Sequence, residues 1–322
     1  MELGLTLPNR GVLFGATTVD EMLDLAEAGE QAGAFGSVWV GDSIMAKPRL
    51  ESLTLLAAIA ARTRRVKLGA ACLASFPSRH PVLLAYQWAS LDVISKGRTI
   101  LVPCMGGGTR GDFTREFRVM GLDPAKRAAM LEEGIRAVRR LWEEEEVTFE
   151  GEFWRFEGAC LHPKPVQRPL PIWIANNVQI VTKSEVIMER ALRRVARLAD
   201  GWMTTHVWPH EFAERWQRIL RYTTEEGRDA RAMRSSVYFN VNLNSDRDKA
   251  LEESKRFLDT YYMTNNTRET LERWVALGSP DEVVRRLREF AGAGVDTLTI
   301  RFPSWDQRGQ LRAFLREVAP QL

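Results

Sequence analysis

Few side chains in this 322-residue chain have the type and spacing for acid–base, nucleophilic or metal chemistry. Its four histidines form neither His-x-His nor His-Glu-x-x-His, so the converging ligand set of a metal-dependent hydrolase is missing and no metal is expected. Asp42 is essentially the lone carboxylate that follows an apolar strand-like run, which leaves a glycosidase without its second acid. No lysine holds such a place, so Schiff-base chemistry is not expected either. The catalytic candidates are the neighbours Asp42 and Ser43, and His206, whose imidazole suits a general base or a hydrogen bond to an oxygenated intermediate. Arg301 could clamp an anion or close a salt bridge. Asn9, Phe76, Trp208 and Arg301 are candidate walls of a substrate pocket. The run Gly106–Gly108 lets backbone N–H groups approach an oxyanion, although a plain flexible loop explains it equally well. A site so apolar, aromatic and rich in Gly and Asn suits a planar, phosphate-bearing cofactor that carries the hard chemistry itself.

These residues need elements to hold them. Eight short apolar runs read as strands: Leu3–Leu7, Ser37–Val40, Val66–Ala71, Thr99–Val102, Pro171–Ala175, Gly201–Thr204, Val237–Leu243 and Val295–Arg301. Helical patterns alternate with them, among them Val19–Gly33, Leu53–Arg62, Pro81–Ile94, Ala125–Trp142, Asp246–Tyr262 and Pro280–Ala291, the last capped by Ser279. Eight strands with interleaved helices predict an α/β fold, a (β/α)8 TIM barrel in one domain over 1–322. The rival is a doubly wound open sheet, but the first strand lacks a Gly-rich turn into its helix. Two segments exceed the barrel minimum. One follows strand four (Gly106–Pro124 with a hairpin region, Val147–Pro169), and the other follows strand seven (Thr264–Gly278). Barrel active sites lie at the C-terminal strand ends, where all the candidates above fall.

The charge balance, 45 Lys+Arg against 42 Asp+Glu, gives +3 and no basic stripe, so nucleic acid is not an expected partner. The runs Arg62–Arg65 and Glu143–Glu146 read as solvated helix ends or faces. Cys72, Cys104 and Cys160 are odd in number and form no Cys-x-x-Cys, which predicts a reduced, cytoplasmic protein. There is no signal-peptide pattern and no apolar run of about 18 residues, so no membrane association is expected.

Several stretches carry a resemblance. They are Val-Lys-Leu-Gly-Ala-Ala (66–71), Arg-His-Pro-Val-Leu-Leu-Ala (79–85) and Leu-Asp-Val-Ile-Ser-Lys-Gly-Arg (91–98). Further on stand Pro-Lys-Pro-Val-Gln-Arg-Pro-Leu-Pro-Ile-Trp-Ile (163–174), Ala-Arg-Leu-Ala-Asp-Gly-Trp (196–202) and Gly-Ser-Pro-Asp-Glu-Val-Val-Arg-Arg-Leu (278–287). In this order and spacing the chain resembles, over nearly its whole length, the bacterial luciferase-like family of flavin- or deazaflavin (F420)-dependent oxidoreductases. The resemblance implies a cofactor ring across the barrel mouth and a non-proline cis peptide after strand three, here Ala71–Cys72. Cofactor contacts are then expected at Ala71, Cys72, Cys104, Gly106 and Gly107. The phosphate is expected near Asn176, Asn177 and Val178, unless the two asparagines merely cap the turn. Many F420-dependent relatives have Asp-His where this chain has Asp42-Ser43, and the family's usual Gly-x-Gly is replaced by Pro103-Cys104-Met105. Cys72 and Cys104 are expected to be neighbours and small buried hydrophobes. His80 is expected to cap its helix, and Arg127 and Glu133 to order the loop after strand four.

The reading this favours is a two-component monooxygenase that uses O2 and reduced FMN, supplied by a separate flavin reductase, on a small organic substrate. The alternatives are an F420-dependent dehydrogenase or reductase, and a non-catalytic flavin-binding barrel. A homodimer through barrel helices, with Leu53–Arg62 supplying a second buried face, completes the expectation.

Overall fold

A computed structural model describes residues 1–107, 112–177 and 184–322. The parallel strands are β1 (Glu2–Thr6), β2 (Ser37–Val40), β3 (Lys67–Ala70), β4 (Thr99–Ile100), β7 (Trp173–Ala175), β8 (Gly201–Thr205), β9 (Arg234–Leu243) and β11 (Thr297–Arg301). The antiparallel hairpin β5 (Val147–Glu150) and β6 (Arg155–Ala159) and the short β10 (Val275–Gly278) stand outside this set. Their order is β4-β3-β2-β1-β11-β9-β8-β7, and an isolated parallel bridge between Leu101 and Ile172 joins the two ends. The eight strands therefore form the TIM-type barrel that the alternation predicted.

Helices cover the outside. Those used below are α1 (Val19–Gln31), α2 (Ser52–Arg62), α3 (Pro81–Ser95), α4 (Asp112–Val119), α5 (Arg127–Glu143), α6 (Glu185–Leu198), α7 (Pro209–Glu225), α8 (Arg247–Tyr262), α9 (Arg268–Trp274) and α10 (Pro280–Gly292). Ser279 caps α10 and Glu282 returns the bond to the Ser279 N–H, a reciprocal pair readable in the sequence. His80 accepts from Val82 N at the start of α3, as expected. Both long segments carry structure that the sequence reading missed. The one after strand four contains α4. The one after strand seven contains α9 and β10, which pairs with β9 in parallel from Val275↔Asn240 to Gly278↔Leu243. Val-Ala-Leu-Gly is too short and too uniformly apolar to announce a strand.

Period-two alternation sorts each strand into a helix-facing and a lumen-facing row. Val38, Val40, Leu68, Ala70, Ile174, Phe239 and Ile300 join the outer core under the helices. Trp39, Ile100, Val102, Cys104, Trp173, Ala175 and Met203 form a separate cluster inside the barrel. Trp39 and Trp173, 5.9 Å apart, fill the lumen floor. They fit because glycine faces them: a Cβ on Gly69 would lie 2.4 Å from the Trp39 ring, and one on Gly201 2.5 Å from the Trp173 ring. The two indoles thus pack the lumen floor beneath the C-terminal strand ends.

Buried carboxylates, rather than solvated ones, organise the loops. Glu30 accepts from the N–H groups of Arg64, Arg65 and Val66. Burial opposes its charge, but those bonds outweigh it and hold the carboxyl below its usual range. The run Arg62–Arg65 is therefore tied to α1 through its backbone. Asp92 binds the N–H groups of Val166 and Gln167 in the same way. Glu133, expected to order the loop after strand four, instead accepts from Glu152, Phe153 and Trp154 N and shapes the β5–β6 turn.

Candidate active site

Strands β1 and β2 end in a network centred on Asn9. Its Nδ2 donates to Gly41 O (2.8 Å) and Leu50 O (3.2 Å), and its Oδ1 accepts from Gly41 N (3.0 Å) and Tyr261 Oη (3.2 Å). Every polar atom of Asn9 is therefore engaged in joining loops. Asp42 is similarly committed: Oδ1 accepts from Ser52 Oγ (2.8 Å) and Oδ2 from Ser75 N (2.7 Å), which ties β2 to the loop after β3. Ser43 donates to Glu116 Oε2 (3.2 Å), and the same oxygen takes Met45 N and Ala46 N, each at 2.7 Å. Glu116, buried on α4, thus fixes the turn after β2. Nothing in the sequence marked it, because a carboxylate in the run Thr114-Arg115-Glu116-Phe117-Arg118 reads as a solvated face.

The Ala71–Cys72 peptide bond is cis, as the resemblance implied. Ala71 and Cys72 pack on the inner cluster that contains Cys104 and Ala175, so the expected neighbours do meet. The hydrogen bond to Cys104 and burial push the Cys72 thiol well above the ordinary range, which keeps it protonated and un-nucleophilic. Gly106 has φ +72°, and a Cβ on Gly107 would lie 2.7 Å from the Phe113 ring. Phe113, on α4, packs on the same cluster, and the sequence reading had not singled it out. Gly108 and Val178 lie outside the described residues.

Asn176 donates to Ala191 O on α6 (3.2 Å), and Asn177 Oδ1 accepts from Thr205 N (3.0 Å). Both side chains thus serve the strand ends in this conformation. His206 follows β8 in the left-handed region, φ +55°, and stacks on Trp274 with ring centroids 3.8 Å apart. Burial, with help from Arg273, drops its pKa to about 3. Its Nδ1 is buried without a hydrogen-bond partner. The neutral ring is a hydrogen-bonding group rather than a base that stores a proton near neutrality.

Two expected pocket residues point elsewhere. Phe76 packs outside the barrel against Gly134 of α5, where a Cβ would lie 2.9 Å from its ring. Trp208 starts α7 and lies under the Arg286 guanidinium of α10 (4.5 Å), because Val207 is drawn into the outer core. Arg301 does face the lumen. It is paired in register with Asn240 on β9 and is fully buried. Its Cζ lies 4.1 Å from the Tyr261 ring, 5.2 Å from Tyr238 and 5.8 Å from Tyr262, and Nη1 donates to Tyr262 Oη at 2.7 Å. Burial opposes the charge, but the three phenols outweigh it and keep the guanidinium ionised. Of the two alternatives for Arg301, the salt bridge is not formed among the described residues, and an aromatic cage surrounds the guanidinium instead.

The profile of the luciferase-like monooxygenase family matches residues 1–297. The chain belongs to this family. A curated relative from Nakamurella multipartita, an F420-dependent glucose-6-phosphate dehydrogenase, is 28% identical over 94% of this chain and 92% of its own. An F420-dependent secondary alcohol dehydrogenase, solved with an F420–acetone adduct, superposes with a TM-score of 0.81 at 18% identity, covering 99% of this chain and 98% of that one. The monooxygenase RslO1 from Streptomyces bottropensis superposes at 0.78 with 25% identity, covering 99% of both chains. Like its relatives, this member of the luciferase-like family is an oxidoreductase-type enzyme. No group of three or more His, Cys, Asp or Glu side chains among the described residues is placed to hold a metal ion. No helix among them is long and apolar enough to cross a membrane.

Proposed function

We propose that this enzyme is an F420-dependent dehydrogenase or reductase, the alternative in the sequence reading rather than its first choice. The observation that carries it is the whole-length match to proteins named F420-dependent glucose-6-phosphate dehydrogenase. The mouth fits such a group. Ala71, Cys72, Cys104 and Ala175 present small side chains beside one another, the kind of lining against which a planar ring can lie. The buried, unpartnered His206 Nδ1 is a polar atom still lacking its complement there. When bound, F420 supplies the hydride acceptor or donor. The chain's own share is to exclude water with Trp274, Tyr238 and Tyr262, to present a neutral His206, and to supply cationic charge through Arg301. A small organic substrate sits in this reading under the segment after strand seven.

A second reading, FMN-dependent oxygenation with a separate reductase, is favoured by the likeness to RslO1 and by Ser43 where many F420-dependent relatives have His. Equilibrium titration with F420 and with reduced FMN separates the two. The deazaflavin reading expects the tighter binding for F420, with no oxygen consumption on turnover. Tighter reduced FMN, with substrate-coupled oxygen uptake, would reverse the choice.

A further inference from the structure

The rim above β1 and β2 gathers cations that the fold does not neutralise. Ser37 and Trp39 of β2 face the lumen, and Gly41 continues that row. A Cβ there would lie 2.0 Å from Arg49 Nη1, so the Arg49 guanidinium fills the place where a side chain at 41 would enter the mouth. Arg49 lies 5.5 Å from the centroid of the Tyr261 ring, and Arg301 lies 4.1 Å from the same centroid. Arg10 is nine-tenths buried beside them, with its N–H on Tyr261 Oη and Nη1 on Pro48 O. Arg10 Nε is buried with no partner. Arg49 Nε is spent on Lys47 O. Neither Arg10, Arg49 nor Arg301 meets a carboxylate within 4 Å among the described residues. Among the described residues Lys47 pairs only with Asp112, at 3.8 Å, and that carboxylate is half-exposed. Burial and mutual repulsion draw both Arg10 and Lys47 below their ordinary ranges. Like charges held together in a half-buried mouth are costly unless an anion completes them.

We propose that Arg49, Lys47 and Arg10, with Arg301 beneath Tyr261, form the recognition site for an anionic group of the substrate, a phosphate or a carboxylate. The site takes the group at the β1–β2 rim of the lumen. Arg49 and Lys47 supply the accessible donors, and Arg10 Nε supplies a buried one. The proposal rests on the mouth being the substrate site of the deazaflavin reading. The acidic tail of the cofactor is a second possible source of the same chemistry, and the test separates the two.

The probe is inorganic phosphate, titrated calorimetrically into wild type, Arg49→Gln, Lys47→Gln and the exposed control Arg155→Gln. Urea midpoints check folding, and Lys47→Gln carries the test if Arg49→Gln fails to fold. The expected result is one phosphate site, weakened about tenfold by either substitution and unmoved by the control, in line with losing one charge-assisted hydrogen bond. Unchanged affinity in both variants, or no phosphate site at all, overturns the proposal. F420 and the tail-less deazaflavin are titrated in parallel. Variants that bind each cofactor as tightly as wild type does support the substrate assignment. Variants that weaken only the tailed cofactor, with phosphate displacing it, give the site to the cofactor and overturn the assignment. Phosphate bound without either deazaflavin sustains the site while removing the cofactor reading.

Discussion

His206 gives the most quantitative handle on the mouth. Its pKa is about 3 in the fold against an ordinary 6.5. A base whose pKa is depressed by folding refuses a proton that the unfolded chain accepts. Its stability contribution is therefore complete above pH 6.5 and is lost as the pH falls toward 3. At about pH 5.5 the unfolded imidazole is roughly nine-tenths protonated and the folded one neutral, a penalty on the order of 1 kcal/mol relative to pH 7.5. Carboxylates titrate over part of this range too, so a reference variant is needed. His206→Asn removes the proton site and keeps a residue that tolerates the left-handed backbone at 206. Equilibrium urea unfolding of both proteins at the two pH values isolates the effect. The wild type should lose on the order of 1 kcal/mol more than the variant on acidification. Equal losses would show that the folded imidazole titrates normally and is solvated, and a smaller loss in the wild type would show that it carries a proton in the fold.

Other outcomes follow from the same geometry. Glu116→Ala strands three donors of the turn after β2 and should cost about 2–3 kcal/mol in urea unfolding, whereas an exposed acid such as Glu157 should cost under about 0.5. In the native protein a maleimide should label Cys160 within minutes and leave Cys72 and Cys104 unmodified, because Cys160 is exposed, Cys104 is buried and the thiol of the half-buried Cys72 is held protonated against Cys104; rapid loss of all three thiols would contradict that packing. A homodimer is proposed to form through α3, whose Leu83, Tyr86, Val93 and Ile94 are 41–55% exposed along one face. Leu83→Glu with Ile94→Glu should convert a dimeric scattering mass to a monomeric one, and a monomeric wild type would refute the interface.

Much of this was legible beforehand because it is local. The barrel follows from runs of apolar residues and helical spacing, and Ser279 and His80 show their caps within three residues of chain. The Ala71–Cys72 bond and the meeting of Cys72 with Cys104 followed from strand adjacency and family likeness. What stayed hidden depends on tertiary partners. Glu116, Glu133 and Asp92 sit in helical stretches where a carboxylate ordinarily faces water, and their loop donors lie 19 to 75 residues away. Leu53–Arg62 buries its large apolar residues, so the exposed face falls on the neighbouring helix, whose apolar residues surround its axis. Trp208 and Phe76 are expected in the pocket from their places just after strands six and three, but position along a loop cannot tell which side of it a ring takes. Arg49 had no motif at all; its place is set by the missing side chain at Gly41.

The proposed occupant of this barrel's mouth is a deazaflavin. Fluorescence titration of the wild-type protein with F420, alongside oxidised and reduced FMN under anaerobic conditions, tests it most directly. Saturable F420 binding, tighter than either form of FMN, is the predicted result. Tight reduced FMN with weak or absent F420 binding would contradict it.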